Sequence, residues 1–341
     1  MATLLSGLKA YVGREEPGLV DSIDTLTAVV TVTDDGGSSG RLREEFQILP
    51  PGDIRNCMVA LAEDERLLTR LFQYRFQSDG DLSGHSFGNI FVAALAGVTG
   101  DFLEAIKVTS EVLAIKGRIY PSTAQDITLL AEAEEGRIIE GETRIVESRS
   151  RIKRLWLSNP DCRPLPETLD AIKEADIITI GPGSLYTSLI PNLLVHGIVD
   201  AINESAAHKI YICNIMTQPG ETEGFSIEDH LRVLFEYSPQ LELHHAIVNS
   251  MPIRSALREK YLADGAVQVK FKSEPLATGL ERVALELQGE LNHRVGVICE
   301  DLVSENDLVR HDPDKLASLV LKIHRAESAA GLSDKLPACR P

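Results

Sequence analysis

An α/β fold with a mostly parallel sheet and a small β-rich insertion is what this sequence predicts, and three observations carry the prediction. Apolar, β-branched runs without polar alternation recur as AVVTVT from Ala28, DIITI from Asp176 and KIYIC from Lys209, the pattern of strands buried on both faces. Each run ends in a glycine-bearing polar turn and then passes into a helical pattern, the rhythm of parallel strands joined by helical crossovers. Between about residues 125 and 157 that rhythm breaks into short alternating segments punctuated by Gly136 and Gly141, which reads as a β-rich insertion.

Taken in order, the chain opens on MATLLSGLKAY, which places Leu4, Leu5, Leu8 and Tyr11 on one helical face. A polar connection leads to the Ala28 strand, carried by Val29, Val30, Thr31, Val32 and Thr33. After the breaker Pro50-Pro51-Gly52, the spacing of Ile54, Cys57, Leu61, Leu68, Leu71 and Phe72 predicts one long helix from Asp53 to Phe76, with Asp53 as its N-cap. SGHSFGN at 83–89 forms a loop before a buried helix, FVAALAGV, and a further helix from Asp101 to about Val112. Leu113 to Tyr120 is a strand ended by Pro121. In the insertion, RIIEGETRIVES reads as two short strands and IKRLWL as a third, with Glu132, Glu134, Glu135, Glu140 and Glu142 as its solvated face. The α/β rhythm then resumes: a helix at Glu167–Glu174, DIITI, a helix from about Pro191, KIYICN and the helix FSIEDHLRVLFEY. HAIVN, AVQVKF and RVGVIC follow as strands, and Asp312–Ala326 as the last helix. One domain therefore spans 1–330, and 331–341 is a loose tail.

Composition narrows the function. The chain has 341 residues, 43% of them hydrophobic, ample for a sizeable core. Its 51 acidic against 34 basic residues give a net charge of −17, which opposes binding to nucleic acid or an anionic membrane. The five cysteines, Cys57, Cys162, Cys213, Cys299 and Cys339, are scattered and show no C-x-x-C spacing. That excludes a disulfide framework or zinc site and points to a reducing, cytoplasmic compartment. No apolar run approaches the roughly 20 residues that span a bilayer, so no membrane insertion is expected. Association with a second copy, as a homo-oligomer, stays open.

Candidate chemistry sits at three strand ends. Asp34 and Asp35 lie at the carboxyl end of the Ala28 strand, the edge where open α/β sheets bind ligands. Gly36, Gly37 and Gly40, with the hydroxyls of Ser38 and Ser39 and with Arg41, line a phosphate or sugar pocket or form an ordinary solvated turn. In the second motif, GPGSLYTS, Gly181 and Gly183 shape a tight turn while Ser184, Thr187 and the amides opening the next helix can receive an anion. In the third, CNIMTQPGETEG, Asn214 and Thr217 can hydrogen-bond a sugar or base. Two further loops contribute Arg55 and Asn56, and His85, Ser86 and Asn89. His85 is either a general base or phosphate donor, or a structural histidine bonding a loop carbonyl. Arg55 is either an anion clamp or a partner of Asp53 or Glu63. Asp34 and Asp35 have hard oxygen ligands suited to Mg²⁺ beside a diphosphate. Ser86 lacks a G-x-S-x-G setting, so a hydrolase elbow finds no support.

TVTDDGGSSGRLR, PPGDIRNC, SGHSFGN, GPGSLYTSLIPNLL and CNIMTQPGETEGFS together resemble the CofD-like superfamily, and within it the YvcK-type branch of gluconeogenesis factors. The resemblance covers residues 28 to about 230. It implies a Rossmann-like three-layer αβα fold and a cytoplasmic protein that binds a uridine-diphosphate sugar, typically UDP-N-acetylglucosamine. Such a protein supports cell shape and wall synthesis during gluconeogenic growth, acting with a protein partner. The related transferase branch instead moves a phospholactyl group onto a deazaflavin, which is the alternative function. Carried over, the resemblance places Asp34, Asp35 and Gly36 to Arg41 at the nucleotide-sugar site, with Asn89 and the Gly181 to Ser184 turn around the phosphates. Tyr261 and Arg310 are the C-terminal counterparts, on either side of an apparent insertion at about 272–292. Similar chains open with a strand and a GGGTG-like turn before a helix like GLATLLSGLKAY. Met1 falls inside that helix here, so either the true start lies upstream, which is the expectation, or the chain is a truncated version with weakened binding.

Overall fold

The computed structural model describes residues 1–14, 21–63, 66–77, 79–272, 279–287, 293–305 and 308–330; the tail at 331–341 lies outside them. Helix α1 (Ala2–Leu8) runs into a 3₁₀ turn and buries Leu4, Leu5 and Leu8, as their spacing requires. Strand β1 (Thr27–Val30) is shorter than its apolar run. Thr31, Val32 and Thr33 leave the ladder but stay buried, and the hydroxyls of Thr31 and Thr33 bond each other at 3.0 Å.

The expected single helix from Asp53 to Phe76 is two. After α2 (Gly37–Phe46) come α3 (Gly52–Leu61) and α4 (Arg66–Gln73), separated where Ala62 turns to ψ 138° and pairs with Ile115. Pro51 is the N-cap of α3, and Asp53 lies in its first turn, where a carboxylate meets the positive end of the helix. Helix α5 (Phe87–Thr99) ends on Gly100 at φ 72°, and α6 (Phe102–Val112) starts with Asp101 accepting from Glu104 N. Strand β2 (Arg118–Pro121) pairs parallel with β1.

The insertion comprises β3 (Leu129–Ala133), β4 (Ile138–Glu140), α7 (Glu142–Ser148) and β5 (Ile152–Leu157), its strands forming an antiparallel sheet in the order β4-β3-β5. Its second expected strand, over TRIVES, is helical: Ile145 is buried one turn after Glu142, a helical spacing. There follow α8 (Pro166–Lys173), β6 (Ile177–Ile180), a π-helical turn (Leu185–Leu189), α9 (Ile190–Leu194), α10 (Ile198–Glu204) and β7 (His208–Ile212). The chain continues with α11 (Ile227–Tyr237), β8 (His245–Asn249), α12 (Ser255–Ala263), β9 (Gly279–Leu287), β10 (His293–Glu300), β11 (Val303–Glu305), β12 (Val309–His311) and α13 (Pro313–Ala330). AVQVKF is not a strand. Its Val267 and Val269 instead exchange single backbone bonds with Thr217 and Ile215, which ties the segment to the third strand-end loop.

The larger sheet has the order β6-β7-β8-β10-β9, parallel except for β9. Both its faces are covered. Along β7, Ile210 and Ile212 join a core with α1, α3 and α13, while Tyr211 packs on the other face with Leu129, Leu157, Leu185 and Leu231. This is the mixed α/β, Rossmann-like arrangement expected, and two buried faces explain why the strand sequence does not alternate. Among the described residues no single helix is long and apolar enough to cross a membrane.

Candidate functional site

Parallel pairing puts the loops after β6 and β7 on one edge of the sheet, and contacts draw the loop after β1 to the same place. The segment after Asp35 is not an open glycine-serine turn. From Gly37 it is helix α2, which turns Ser38 and Ser39 inward. Ser38 Oγ pairs with His85 Nδ1 at 3.1 Å and accepts from Ser86 N at 3.2 Å, while Ser39 Oγ accepts from Asn89 Nδ2 at 3.3 Å. Arg41 donates to Ser83 O at 2.7 Å and so fastens the SGHSFGN loop. Burial, then the nearby Arg41 charge, lowers the His85 pKa, so the imidazole is neutral at pH 7 where it pairs with Ser38.

The two aspartates divide their work. Asp34 Oδ1 accepts from Gly36 N at 2.9 Å, and Oδ2 lies against Gly52 beside Ser39 Oγ. Asp35 reaches the insertion: its Oδ1 accepts from Thr143 N at 2.9 Å, capping α7 from outside the helix, and its Oδ2 presses on Gly141. A Cβ at residue 141 would lie 2.0 Å from that oxygen, and the φ there is +98°, so only glycine fits. Asp34 Oδ1 is thus turned to its own turn and Asp35 Oδ1 to the insertion. Among the described residues no three His, Cys, Asp or Glu side chains are spaced to hold a metal.

Arg55 is buried and reaches neither Asp53 nor Glu63 with a hydrogen bond. Its guanidinium donates to Ser86 Oγ at 3.1 Å and to the exposed Asn56 Oδ1 at 2.7 Å, tying α3 to the SGHSFGN loop, while its Nε is without a partner. Asn89 is 2% exposed and its Oδ1 also has no partner.

The second and third loops lock onto each other. Asn214 Nδ2 donates to Gly183 O at 2.8 Å and Gln218 Nε2 to Ser184 Oγ at 2.8 Å. The amide expected to receive an anion is already taken: Glu221 accepts from Tyr186 N at 3.2 Å and from Thr187 Oγ1 at 3.1 Å. Thr217 Oγ1 accepts from Val267 N at 2.9 Å, so it braces the loop. The carbonyl oxygen of Pro182, which follows Gly181, accepts from the Met1 amino group. Tyr261 and Arg310 lie on α12 and β12, beside the third loop. The Tyr261 hydroxyl accepts from Val309 N at 3.1 Å over a small apolar cluster with Ile215 and Met216, and Arg310 is exposed.

Sequence reasoning missed Glu142 and Glu221. Glu142 was assigned to a solvated face, yet it is half-buried and its Oε2 has no partner. Burial first, then the charges of Asp34, Asp53, Glu221 and Asp35, push its carboxyl up to about 9. Burial likewise raises Asp53, with Asp34 adding to it, and raises Glu221 against the pull of its donors. Carboxyl groups from four segments, Asp34 and Asp35, Asp53, Glu221 and Glu142, thus lie close enough to feel one another's charge. The available signal was Ile145 three residues after Glu142, which marks a helix with one face inward.

Known proteins resemble this chain over most of its length. The family profile described as 2-phospho-L-lactate transferase CofD matches residues 1–287. The chain is 45% identical over 300 residues to the gluconeogenesis factor of Bacillus subtilis (strain 168), covering 87% of this chain and 90% of that protein. It is 42% identical over 323 residues to the gluconeogenesis factor of Halalkalibacterium halodurans, covering 94% and 92%. A longer relative from Nostoc sp. is 46% identical over 94% of this chain, which spans 66% of that protein's length. A crystal structure of a UPF0052-family protein from Bacillus halodurans superposes with a TM-score of 0.81 at 42% identity, covering 94% of this chain and 95% of the other.

Proposed function

The chain belongs to the CofD family, in its gluconeogenesis-factor branch, and from that premise we propose that it binds a uridine-diphosphate sugar at the crevice between the three strand-end loops. It acts there as a regulator without turnover, supporting cell shape and wall synthesis during gluconeogenic growth through a protein partner. The observation that carries the reading is a pair of buried polar atoms left unpartnered beside the Asp34 loop, Asn89 Oδ1 and Glu142 Oε2. A buried unpaired acceptor is costly, and a ligand group offsets that cost. The reading sets the protein in the cytoplasm, where the buried free thiols Cys57, Cys162, Cys213 and Cys299 stay reduced. Calorimetric titration of UDP-N-acetylglucosamine is expected to show saturable binding; no heat at millimolar ligand would sink the proposal.

The family profile favours a second reading, a transferase that moves a phospholactyl group onto a deazaflavin acceptor. Incubation with a deazaflavin and a nucleotide-linked phospholactate decides it: formation of the phospholactylated product would replace the regulator by an enzyme.

A further inference from the structure

Apart from the strand-end loops, we propose that the cavity between α2, α5 and α6 binds a small organic cation, an ammonium or guanidinium head on an apolar stem. The cavity measures about 430 Å³, within the size range of small-ligand pockets. It is a separate place in the fold. Ser39 and Asn89 join the first turns of α2 and α5 at the strand-end loops, whereas Phe46 and Gly97 bring the last turns of the same helices to the cavity. Its inner side is apolar, formed by the buried Leu49, Ala93 and Ala96. Room opens in front of them because Gly97 and Gly100 carry no side chain: a Cβ at either would meet no atom within 4 Å.

The lining selects the charge. Both helices end here, at Phe46 and Thr99, and the residues just past each end, Gln47 and Gly100, line the cavity, so two sets of last-turn carbonyls contribute partial negative charge. Asp101 and Asp126 stand exposed at the rim. Asp101 Oδ1 caps α6 by accepting from Glu104 N, and Asp126 Oδ1 accepts from Arg43; among the described residues the Oδ2 of each has no hydrogen-bond partner. Arg43 also donates to Ile127 O at 2.7 Å. It offsets one of the two carboxylates and leaves charge for one cation. On α6, Glu104 and Lys107 pair with each other at 3.8 Å. Two phenyl rings complete the lining: Phe102 is half-buried against both cores, and Phe46 is 53% exposed. An aromatic face attracts a cation and disfavours an anion. A neutral ligand of the same shape makes the apolar contacts alone.

The test titrates three probes of one shape, 2-phenylethylamine, 2-phenylethanol and phenylacetate, into the full chain and reads the backbone amide NMR signals of Gly100 and Phe102. The amine is expected to saturate them with an affinity on the order of 1 mM, about fivefold tighter than the alcohol, with phenylacetate weakest. Gly97→Leu puts a better helix former at an exposed position where its Cβ meets nothing. It therefore fills the cavity while α5 stays intact, and is expected to abolish saturation. Asp101→Asn keeps a capping oxygen for Glu104 N and is expected to weaken the amine about threefold with the alcohol unchanged. Absence of saturation by the amine, equal affinities for the three probes, or saturation that persists in Gly97→Leu overturns the inference. So does an amine that binds Asp101→Asn as tightly as wild type.

Discussion

The loops after β1 and β6 start from the same ingredients, glycines, serines and an opening helix, and end in opposite arrangements. After β1, the helix buries both serines in the scaffold and leaves Asp34 and Asp35 projecting, one beside Gly52 and one across to the insertion. After β6, the opening amide and the Thr187 hydroxyl are filled from within by Glu221. The first loop therefore presents charge to the crevice, and the second has its charge supplied by a neighbour. Glycine-rich strand ends are not interchangeable anion sites; what matters is whether their donors are already spent.

The contrast can be broken most directly by filling each loop's glycine. A Cβ at Gly40 would lie 2.0 Å from the backbone oxygen of Asp35, which has no room to move. Gly40→Ala is expected to destabilise by about 3 kcal/mol in urea unfolding. A Cβ at Gly183 meets the tip of Leu189 at 3.3 Å and Ser188 Cβ at an ordinary contact distance of 3.6 Å, so Gly183→Ala is expected to cost less than about 1 kcal/mol. Equal costs would erase the distinction.

Next in size is the pH dependence that Glu142 imposes. Its carboxyl is raised from 4.5 to about 9 in the folded protein, so between those values the folded state keeps a proton that the unfolded chain has released. Wild-type stability is expected to fall, relative to Glu142→Gln, as pH rises from about 5 to 9 and then to level off. Parallel pH profiles for the two proteins would mean that the carboxyl is ionised in the fold.

The smallest effects sharpen the division between the two loops. Glu221→Ala strands Tyr186 N and Thr187 Oγ1 and is expected to cost about 1.5 kcal/mol. Asp35→Ala removes the cap on α7 and is expected to cost about 1 kcal/mol. Proteolysis within the insertion should quicken in Asp35→Ala and not in Glu221→Ala, because only Asp35 holds Thr143.

Much of the fold was legible. The runs at Ala28, DIITI and KIYIC are strands, α1 and α13 are where apolar spacing puts them, and the strand-end loops carry the polar side chains. Failures occurred where a local pattern is ambiguous over one turn. TRIVES has alternation enough for a strand, yet becomes a helix once Asp35 supplies its cap. The 53–76 pattern continues through Ala62, where pairing with Ile115 breaks it. AVQVKF has strand composition but lies beside a loop that offers only isolated backbone bonds.

The candidate site divides the same way. By itself the sequence determined the fold class and the strand edge at which polar residues collect, because both follow from side-chain periodicity and from the conformations that glycine permits. Only the tertiary structure decided which of those polar groups remain for a ligand. Asp35 is consumed by a residue 108 positions away, the Tyr186 amide by one 35 positions away, and Glu142 becomes a crevice residue because a distant carboxylate starts its helix. Hydrogen-bond capacity is local, but its satisfaction depends on what the fold brings within about 3 Å.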